Sequence, residues 1–566
     1  MSIAETADRP VSGARARRRG RLPAWPLAVA ALVVGAVALR LWGVRHGLPY
    51  VFNADENAHF VPRAIGMFGH SLNPEYFINP PAYTYLLHAA FWVRWGGRDA
   101  VGEAFAADPS TAFTIARVLA GVLGAAAAGF LVWAGARLFD RRVGLIAGTL
   151  LAVAFLPVHY GHLALNDVPA LAPLCLSLVG VAGVYRTGRL REYALAGAGL
   201  GIACATKYTA GIVLLCLVAA AVVGSDPLSH PHSRGLTLLG GLAVAAVFAV
   251  AGFLVANPYA LVDLDTFRDG LQMQSETATD GGGKLGLGDN GLLYYLGTTT
   301  WGLGWIPALA AAGGAIGLSI RRPRLGLILV PAPVVFLLFM GFQDRFFARW
   351  LLPIYPILCL LAAWAVVAFA GRRRWAVAVG AVALCAQGLV FSVHNDLVLS
   401  RPDTRELARA WMVDHIPAGT NIVVEPIAPN QWAFDPSGPS RATGSGARWN
   451  KWATSRFHGK PVKLEDYERT LSPGLVERYE RGDHCWVLTG STQYGRAFKE
   501  PGEVPRAIAY YDELRGRGEE VYRVSPLSGG EPVRDFSFDF SFNAYPLDYD
   551  RPGPEIVIYR LHGGDC

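Results

Sequence analysis

The stretch ARARRRGRLPAWPLAVAALVVGAVALRLWG, Ala14 to Gly43, decides the fold. A basic flank, Arg15 to Arg21, precedes an apolar run of roughly 20 residues, the length that crosses a bilayer core as a helix. No small-residue cleavage pattern follows, so the run reads as a retained signal-anchor rather than a removed leader. Positive charge ahead of a first span places the tail, residues 1–22, on the cytoplasmic side.

The same alternation of apolar run and arginine cluster continues along the chain. Apolar runs lie near 23–44, 111–136, 143–160, 165–185, 192–206, 208–224, 235–256, 291–319, 325–341, 350–370 and 374–394, which predicts about eleven transmembrane helices within 23–395. Connections such as RLFDRRVG, YRTGRLREY, GSDPLSHPHSRG, SIRRPRLG and GRRRWA are short and arginine-rich, and belong in the cytoplasm. The opposite face receives a first outer loop, 45–110, and an odd helix count exports residues 396–566. Composition agrees. Only 17% of the 566 residues are charged, against about 25% in soluble domains. The net charge of +7 sits in the arginine clusters between spans, so it is a topology signal and excludes a nucleic-acid-binding face.

The exported region is a different kind of sequence. DTRELARAWMVDHIPAGTNIVVEP reads as an amphipathic helix, a turn and a strand, and HCWVLTGS, PRAIAYYDELRGRG and PEIVIYRL continue an α/β alternation. The Gly/Ser/Trp-rich APNQWAFDPSGPSRATGSGARWNKW between them reads as a loop over the membrane face. Five of the seven cysteines lie in apolar runs. Cys485 and Cys566 do not; an extracytoplasmic position would let them pair, and two free thiols are the alternative.

The chemistry collects on the outer face. In FNADENAHFVPRAI, Phe52 to Ile65, Asn53 can cap a helix start with Glu56 three positions on, which accounts for Glu56 as a capping residue. Asp55 is harder to explain that way. It shares a face with His59 at i, i+4, and a carboxylate supported by a histidine or a second acid is what general-base chemistry uses. Pro62 is expected to kink the segment, and the aromatic stretch that follows, from Tyr76 to Trp95, reads mainly as an interfacial belt. Asp167, in HLALNDVPA, opens an apolar helix as either a cap or an intramembrane functional acid. His159 and His162 lie close enough in sequence to join it around a divalent cation, the minority alternative. Lys207, beside Tyr208 in CATKYTAG, needs an anion to remain charged, whereas Arg345 and Arg349 in GFQDRFFARWLLP read as headgroup snorkels or as ligands of an anion. One shared phosphate accounts for Lys207, Arg345 and Arg349 together.

NADENAHFVPRA, NPEYFINPPAYTYLL, ARLFDRRVGLIAGTLLA, LALNDVPALAPLCL, GLGIACATKYTAG and RWLLPIYPILCLLAA, in that order over residues 25–395, resemble the bacterial polytopic glycosyltransferases of the GT-C class. The closer branch holds protein O-mannosyltransferases and lipid A aminoarabinose transferases. The resemblance implies a GT-C-like α-helical membrane domain with an exported α/β domain, a polyprenyl-phosphate sugar donor, and an acceptor that is a protein, a glycan or a lipid. It implies a catalytic acidic pair at Asp55 and Glu56, Asp55 as base, with Asp167, Lys207 and Arg349 at matching positions; His59, Tyr208 and Arg345 join them as expected substrate contacts from their place in the sequence. The sequence requires no particular cofactor, and a divalent cation is the alternative to the basic residues for stabilising the departing phosphate. One departure stands out: the aminoarabinose transferases carry Lys-Pro-Pro where this chain has Asn79-Pro80-Pro81. A transporter or flippase of an anionic, lipid-linked substrate is the competing reading, although the chain shows no inverted repeat and its charges gather at helix ends on one face.

Overall fold

The computed structural model describes residues 24–224, 231–279, 285–287, 290–434, 447–452, 464–533, 536–537 and 545–566. The basic tail, part of the GSDPLSHPHSRG turn, most of GGGKLGLGDN and the middle of the Gly/Ser/Trp-rich loop lie outside the described residues.

Each apolar run is helical, but not each is a full span. Among the described residues seven helices are long and apolar enough to cross a membrane, eight if the bent pair Arg141–Val153 and Phe155–His162 counts as one, against the eleven expected. The difference has a local cause. Leu171–Thr187 and Leu190–Thr206 hold 17 residues each, cut short by the Asn166–Asp167 turn and by Lys207, which adopts an extended backbone and is followed by a 3-10 turn. The polar residues that shorten these helices are the ones the sequence marks for chemistry.

The 57° bend of the pair is explained by hydrogen-bond accounting. Pro157 has no N–H for the carbonyl of Val153, which accepts from the Ser392 hydroxyl at 3.0 Å instead. The carbonyls of Leu151 and Ala152, also released by the break, accept from the buried guanidinium of Arg40 at 3.3 and 2.9 Å. Arg40 belongs to α1 (Ala24–Leu41), so a charge in the first span holds the bend in place. Elsewhere, Gly197 and Gly201 let Leu190–Thr206 lie directly on Pro231–Ala256, because a Cβ at either would strike the carbonyl oxygens of Ala245 and Ala249. Such close approach of small residues is how helices associate in lipid.

The last long helix, Arg374–Leu399, leads into the α/β region. There the described residues form a mixed sheet of β1 (Asn421–Val424), β2 (Asn450–Lys451), β3 (Trp486–Gly490), β4 (Gly518–Val524) and β5 (Ile556–Leu561), in the order β2-β1-β3-β5-β4. β1 runs parallel to β2 and β3, and β5 is antiparallel to both β3 and β4. Alternation assigns the faces. Val423, Val487, Val557 and Tyr559 pack under the helices Gly474–Arg481 and Pro505–Arg517. Ile422, Leu488, Ile556 and Ile558 pack against the helix Thr404–His415, and Tyr50 from the first outer loop joins that second core. Cys485 and Cys566 form a disulfide that ties the last residue to the start of β3.

Candidate active site

The first outer loop starts its helices as capping chemistry dictates. Asn53 Oδ1 accepts from the Glu56 N–H at 3.0 Å and begins α2 (Ala54–Ala58), a single turn. The expectation of one helix kinked at Pro62 is corrected: α2 ends, and Pro62 opens a separate helix, α3 (Val61–Gly66), where its missing N–H costs nothing.

Adjacent carboxylates on one turn point in different directions and meet different partners. Glu56, fully buried, accepts from Arg117 Nε at 2.6 Å and Nη2 at 2.8 Å, and from the Ala164 N–H at 2.9 Å. Arg117 completes its bonding with the carbonyls of Val44 and His46. Glu56 therefore has the geometry of a group that pins α2 to the helix Ser110–Leu138. Asp55 remains 36% exposed on the other side, its Oδ2 accepting from Arg349 at 2.5 Å and its Oδ1 lying 3.5 Å from His59 Nε2. Partial burial favours the neutral acid, but Arg349 and His59 outweigh it and hold the Asp55 carboxyl well below the usual carboxylate range.

Behind Asp55 a relay fixes the imidazole. Asn79 donates to the Tyr76 oxygen at 3.0 Å, and the Tyr76 hydroxyl shares a hydrogen bond with His59 Nδ1, also at 3.0 Å, which turns Nε2 toward Asp55. Tyr76 stacks on His59 with centroids 5.5 Å apart, and Arg63 covers its outer face at 3.6 Å. Tyr76 is thus a second-row partner of the acid, not a belt residue, and Asn79, which stands where the aminoarabinose transferases have lysine, orients it.

On the other side of Asp55 the charges alternate. Arg349 Nε is 3.7 Å from Asp167 Oδ2, and Asp167 Oδ1 accepts from Lys207 Nζ at 2.6 Å. Asp55, Arg349, Asp167 and Lys207 form one row of alternating sign, built from four separate stretches of chain. Asp167 does not cap the helix that follows; it lies in the turn before Leu171 and is 3% exposed. Asp167 supplies the anion that the buried Lys207 requires. Tyr208 donates to the carbonyl of Phe77 at 2.9 Å and so steadies the outer loop. Arg345 and Arg349 flank one ring, with Phe347 5.3 and 4.7 Å from their guanidinium carbons.

Asp55, Arg345 and Arg349 face a cavity of about 240 Å³, whose wall does not include Glu56, His59 or Asp167. Asp55, Arg345, Arg349, Phe347 and the bend histidines His159 and His162 line its membrane side. Asp403, Arg405, Thr492, Gln493, Arg496 and Tyr545 line the other, so the α/β region roofs the site. Lys207 and Tyr208 are not on its wall. Sequence reasoning caught neither the roof residues nor Arg117, although an arginine inside an apolar run is a signal of a buried partner. The groups fit a divalent cation poorly. Asp55 and Asp167 are each engaged by side-chain cations, His159 Nδ1 meets the Asn395 carbonyl oxygen, and His162 is bound by the carbonyls of Val158 and Trp42. Among the described residues no three His, Cys, Asp or Glu side chains gather as a ligand set.

Residues 104–253 match the family described as dolichyl-phosphate-mannose-protein mannosyltransferase. Among solved structures the chain is similar to the apo Archaeoglobus fulgidus oligosaccharyltransferase, at 13% identity and TM-score 0.49, covering 92% of this chain and 75% of that one. It is similar to ArnT from Cupriavidus metallidurans bound to undecaprenyl phosphate, at 13% identity and TM-score 0.48, covering 94% and 98%. The same archaeal enzyme, AglB, with an inhibitory peptide and dolichol-phosphate gives 14% and 0.45 over 92% and 77%. No curated protein matches the chain. Over the stretch that carries Arg117, Asp167 and Lys207, the chain is similar to the dolichyl-phosphate-mannose-protein mannosyltransferases, in line with the resemblance read from its motifs.

Proposed function

We propose that this chain moves a sugar from a polyprenyl-phosphate donor to an acceptor hydroxyl at the extracytoplasmic face of the membrane, in one displacement that inverts the anomeric carbon. The observation that carries this reading is the row Asp55, Arg349, Asp167, Lys207, whose Asp55 end opens on a cavity beside Arg345. The match over 104–253 supports a lipid-phosphate hexose, with mannose the first donor to try. The disulfide supports an oxidising, extracytoplasmic position for the α/β region.

The charge row supplies the order of events. While Arg349 is bound to Asp55, the carboxylate is a weak base. A donor phosphate entering beside Arg345 and Arg349 competes for the guanidinium, loosens its hold on Asp55 and raises the basicity of the carboxylate when it is needed. The acceptor O–H proton then passes to Asp55, the acceptor oxygen bonds to the anomeric carbon, and the bond from that carbon to the phosphate oxygen breaks with its electron pair leaving on the lipid phosphate. Arg345 and Arg349 stabilise that charge; Lys207 acts through Asp167, which keeps Arg349 in line. Fixed donors in a water-poor site are worth about 3–4 kcal/mol each in this role. Thr492 and Gln493 on the roof are the polar contacts open to the acceptor.

The test uses membranes containing the chain and radiolabelled undecaprenyl-phosphate mannose. Asp55→Asn should cut turnover by about 10²–10⁴-fold while binding of undecaprenyl phosphate persists, and the wild-type product should have the opposite anomeric configuration to the donor. A product of retained configuration sinks the single displacement, and near-normal turnover by Asp55→Asn sinks the base.

A further inference from the structure

We propose that the α/β region is a positioning part of the catalytic machinery: it grips Tyr50 and Phe52, and through them sets the direction of Asp55 three residues on. The inference rests on the reading of Asp55 as the base.

Three successive side chains are divided between two cores. Tyr50 is 6% exposed within the core formed by Ala408, Met412, Ile422 and Ile558, and Phe52 packs against the same core. Val51 between them is 2% exposed and belongs to the membrane-domain core. To send its side chain there Val51 adopts φ of 56°, a left-handed backbone that a β-branched residue rarely takes. Such strain persists only where the surroundings over-determine it, and here two separate cores do so. Gly47, φ 62°, completes the fold-back: a Cβ there would lie 2.8 Å from the Phe52 ring.

The grip on Phe52 is directional. The Arg405 guanidinium carbon lies 3.8 Å over the Phe52 ring, and the guanidinium itself is held in a fork by Asp403, with Nε at 2.8 Å and Nη2 at 2.7 Å. Arg409 covers Tyr50 at 5.4 Å while donating to the carbonyls of Trp432 and Phe434. Asn53 follows Phe52 directly and caps the turn that carries Asp55. A cation stacked on an aromatic face in a desolvated setting contributes direction as well as attraction. Glu56 pins the opposite side of α2, so on the Asp55 side the chain enters the turn through Phe52 and the Asn53 cap.

The experiment compares Phe52→Ala, Phe52→Tyr, Arg405→Ala and Asp55→Asn in the full chain, with undecaprenyl-phosphate mannose as donor probe. Phe52→Ala and Arg405→Ala should each lower kcat by roughly ten- to a hundredfold, the scale of a misplaced catalytic group, with donor KM moving less than about threefold. The acid limb of kcat/KM should move to higher pH, because a loosened Asp55 loses Arg349, and Phe52→Tyr should restore both. Thermal midpoint and undecaprenyl phosphate binding are measured alongside. If Phe52→Ala does not fold, Arg405→Ala decides, since it leaves the hydrophobic packing in place. Wild-type kcat in Arg405→Ala, or a fall matched by loss of donor binding with an unmoved pH limb, overturns the proposal. Near-normal turnover by Asp55→Asn overturns instead the reading beneath it.

Discussion

At the scale of single residues, two neighbouring acids have been given opposite tasks. Glu56 spends both oxygens on Arg117 and a backbone N–H, and Asp55 keeps a face open. The pH dependence of the reaction follows from the partners of Asp55. In the proposed reaction the carboxylate is the active form, so activity is present above its pKa and lost as pH falls through it. In the free protein Arg349 and His59 depress that pKa; in the proposed donor complex the phosphate claims Arg349 and the pKa rises. The acid limb of kcat, which reports the complex, should therefore lie at higher pH than the acid limb of kcat/KM, which reports the free protein. Coincident limbs in a steady-state pH series would show that Arg349 does not leave Asp55. Asp55, Asp167 and Arg349 were legible in the sequence because charge at the ends of apolar runs has few innocent explanations. The destination of Lys207 was not, because its partner Asp167 lies 40 residues away and only packing brings them together.

At the scale of elements, the apolar helices were legible from length and composition, and the polar turns that shorten Leu171–Thr187 and Leu190–Thr206 were not. The bend at Ala154 is written in Pro157, but what repairs it, Arg40 and Ser392, comes from helices far apart in the chain. In the α/β region one side chain couples three elements. Glu425, just past β1, accepts from the Gly490 N–H at the end of β3 at 2.8 Å and from the Tyr511 hydroxyl on the helix Pro505–Arg517 at 2.7 Å. Burial outweighs these bonds and pushes its carboxyl up to about 8 from an ordinary 4.5. The folded state then holds a proton that the unfolded chain has lost between those two values. Stability of this region should accordingly fall as pH rises from 4.5 toward 8. Thermal unfolding of the detergent-solubilised chain across that window should show a falling midpoint that Glu425→Gln flattens. A midpoint with equal slope in both proteins would assign the effect to other groups.

At the scale of the whole molecule, the membrane helices and the α/β region share one cavity, and neither lines it alone. Sequence reading placed the α/β region on the same face as the acids but gave it no part in the site, because Arg405, Thr492 and Gln493 stand in ordinary amphipathic helices whose orientation only the fold reveals. The orientation of the whole is open to a direct check through the Cys485–Cys566 bond. In intact cells a membrane-impermeant thiol reagent should label these two cysteines only after reduction. Labelling without reduction would show free thiols on the outer face and remove the disulfide, whereas no labelling after reduction until the membrane is opened would reverse the proposed topology.

The alternating row beside the cavity has one more consequence, which concerns selectivity in a crowded medium. A pocket lined by uncompensated cations would be filled by whatever small anion is most abundant. Here Lys207 is matched by Asp167, and Arg349 by Asp55 and Asp167, so the resting row presents little net attraction to a free anion. Under the proposed function a phosphate enters by exchanging partners with a carboxylate, an exchange made worthwhile by the rest of the donor, its lipid chain and its sugar. On that proposal, self-neutralisation lets the row pass over inorganic phosphate while still answering to the same group on a membrane-borne carrier.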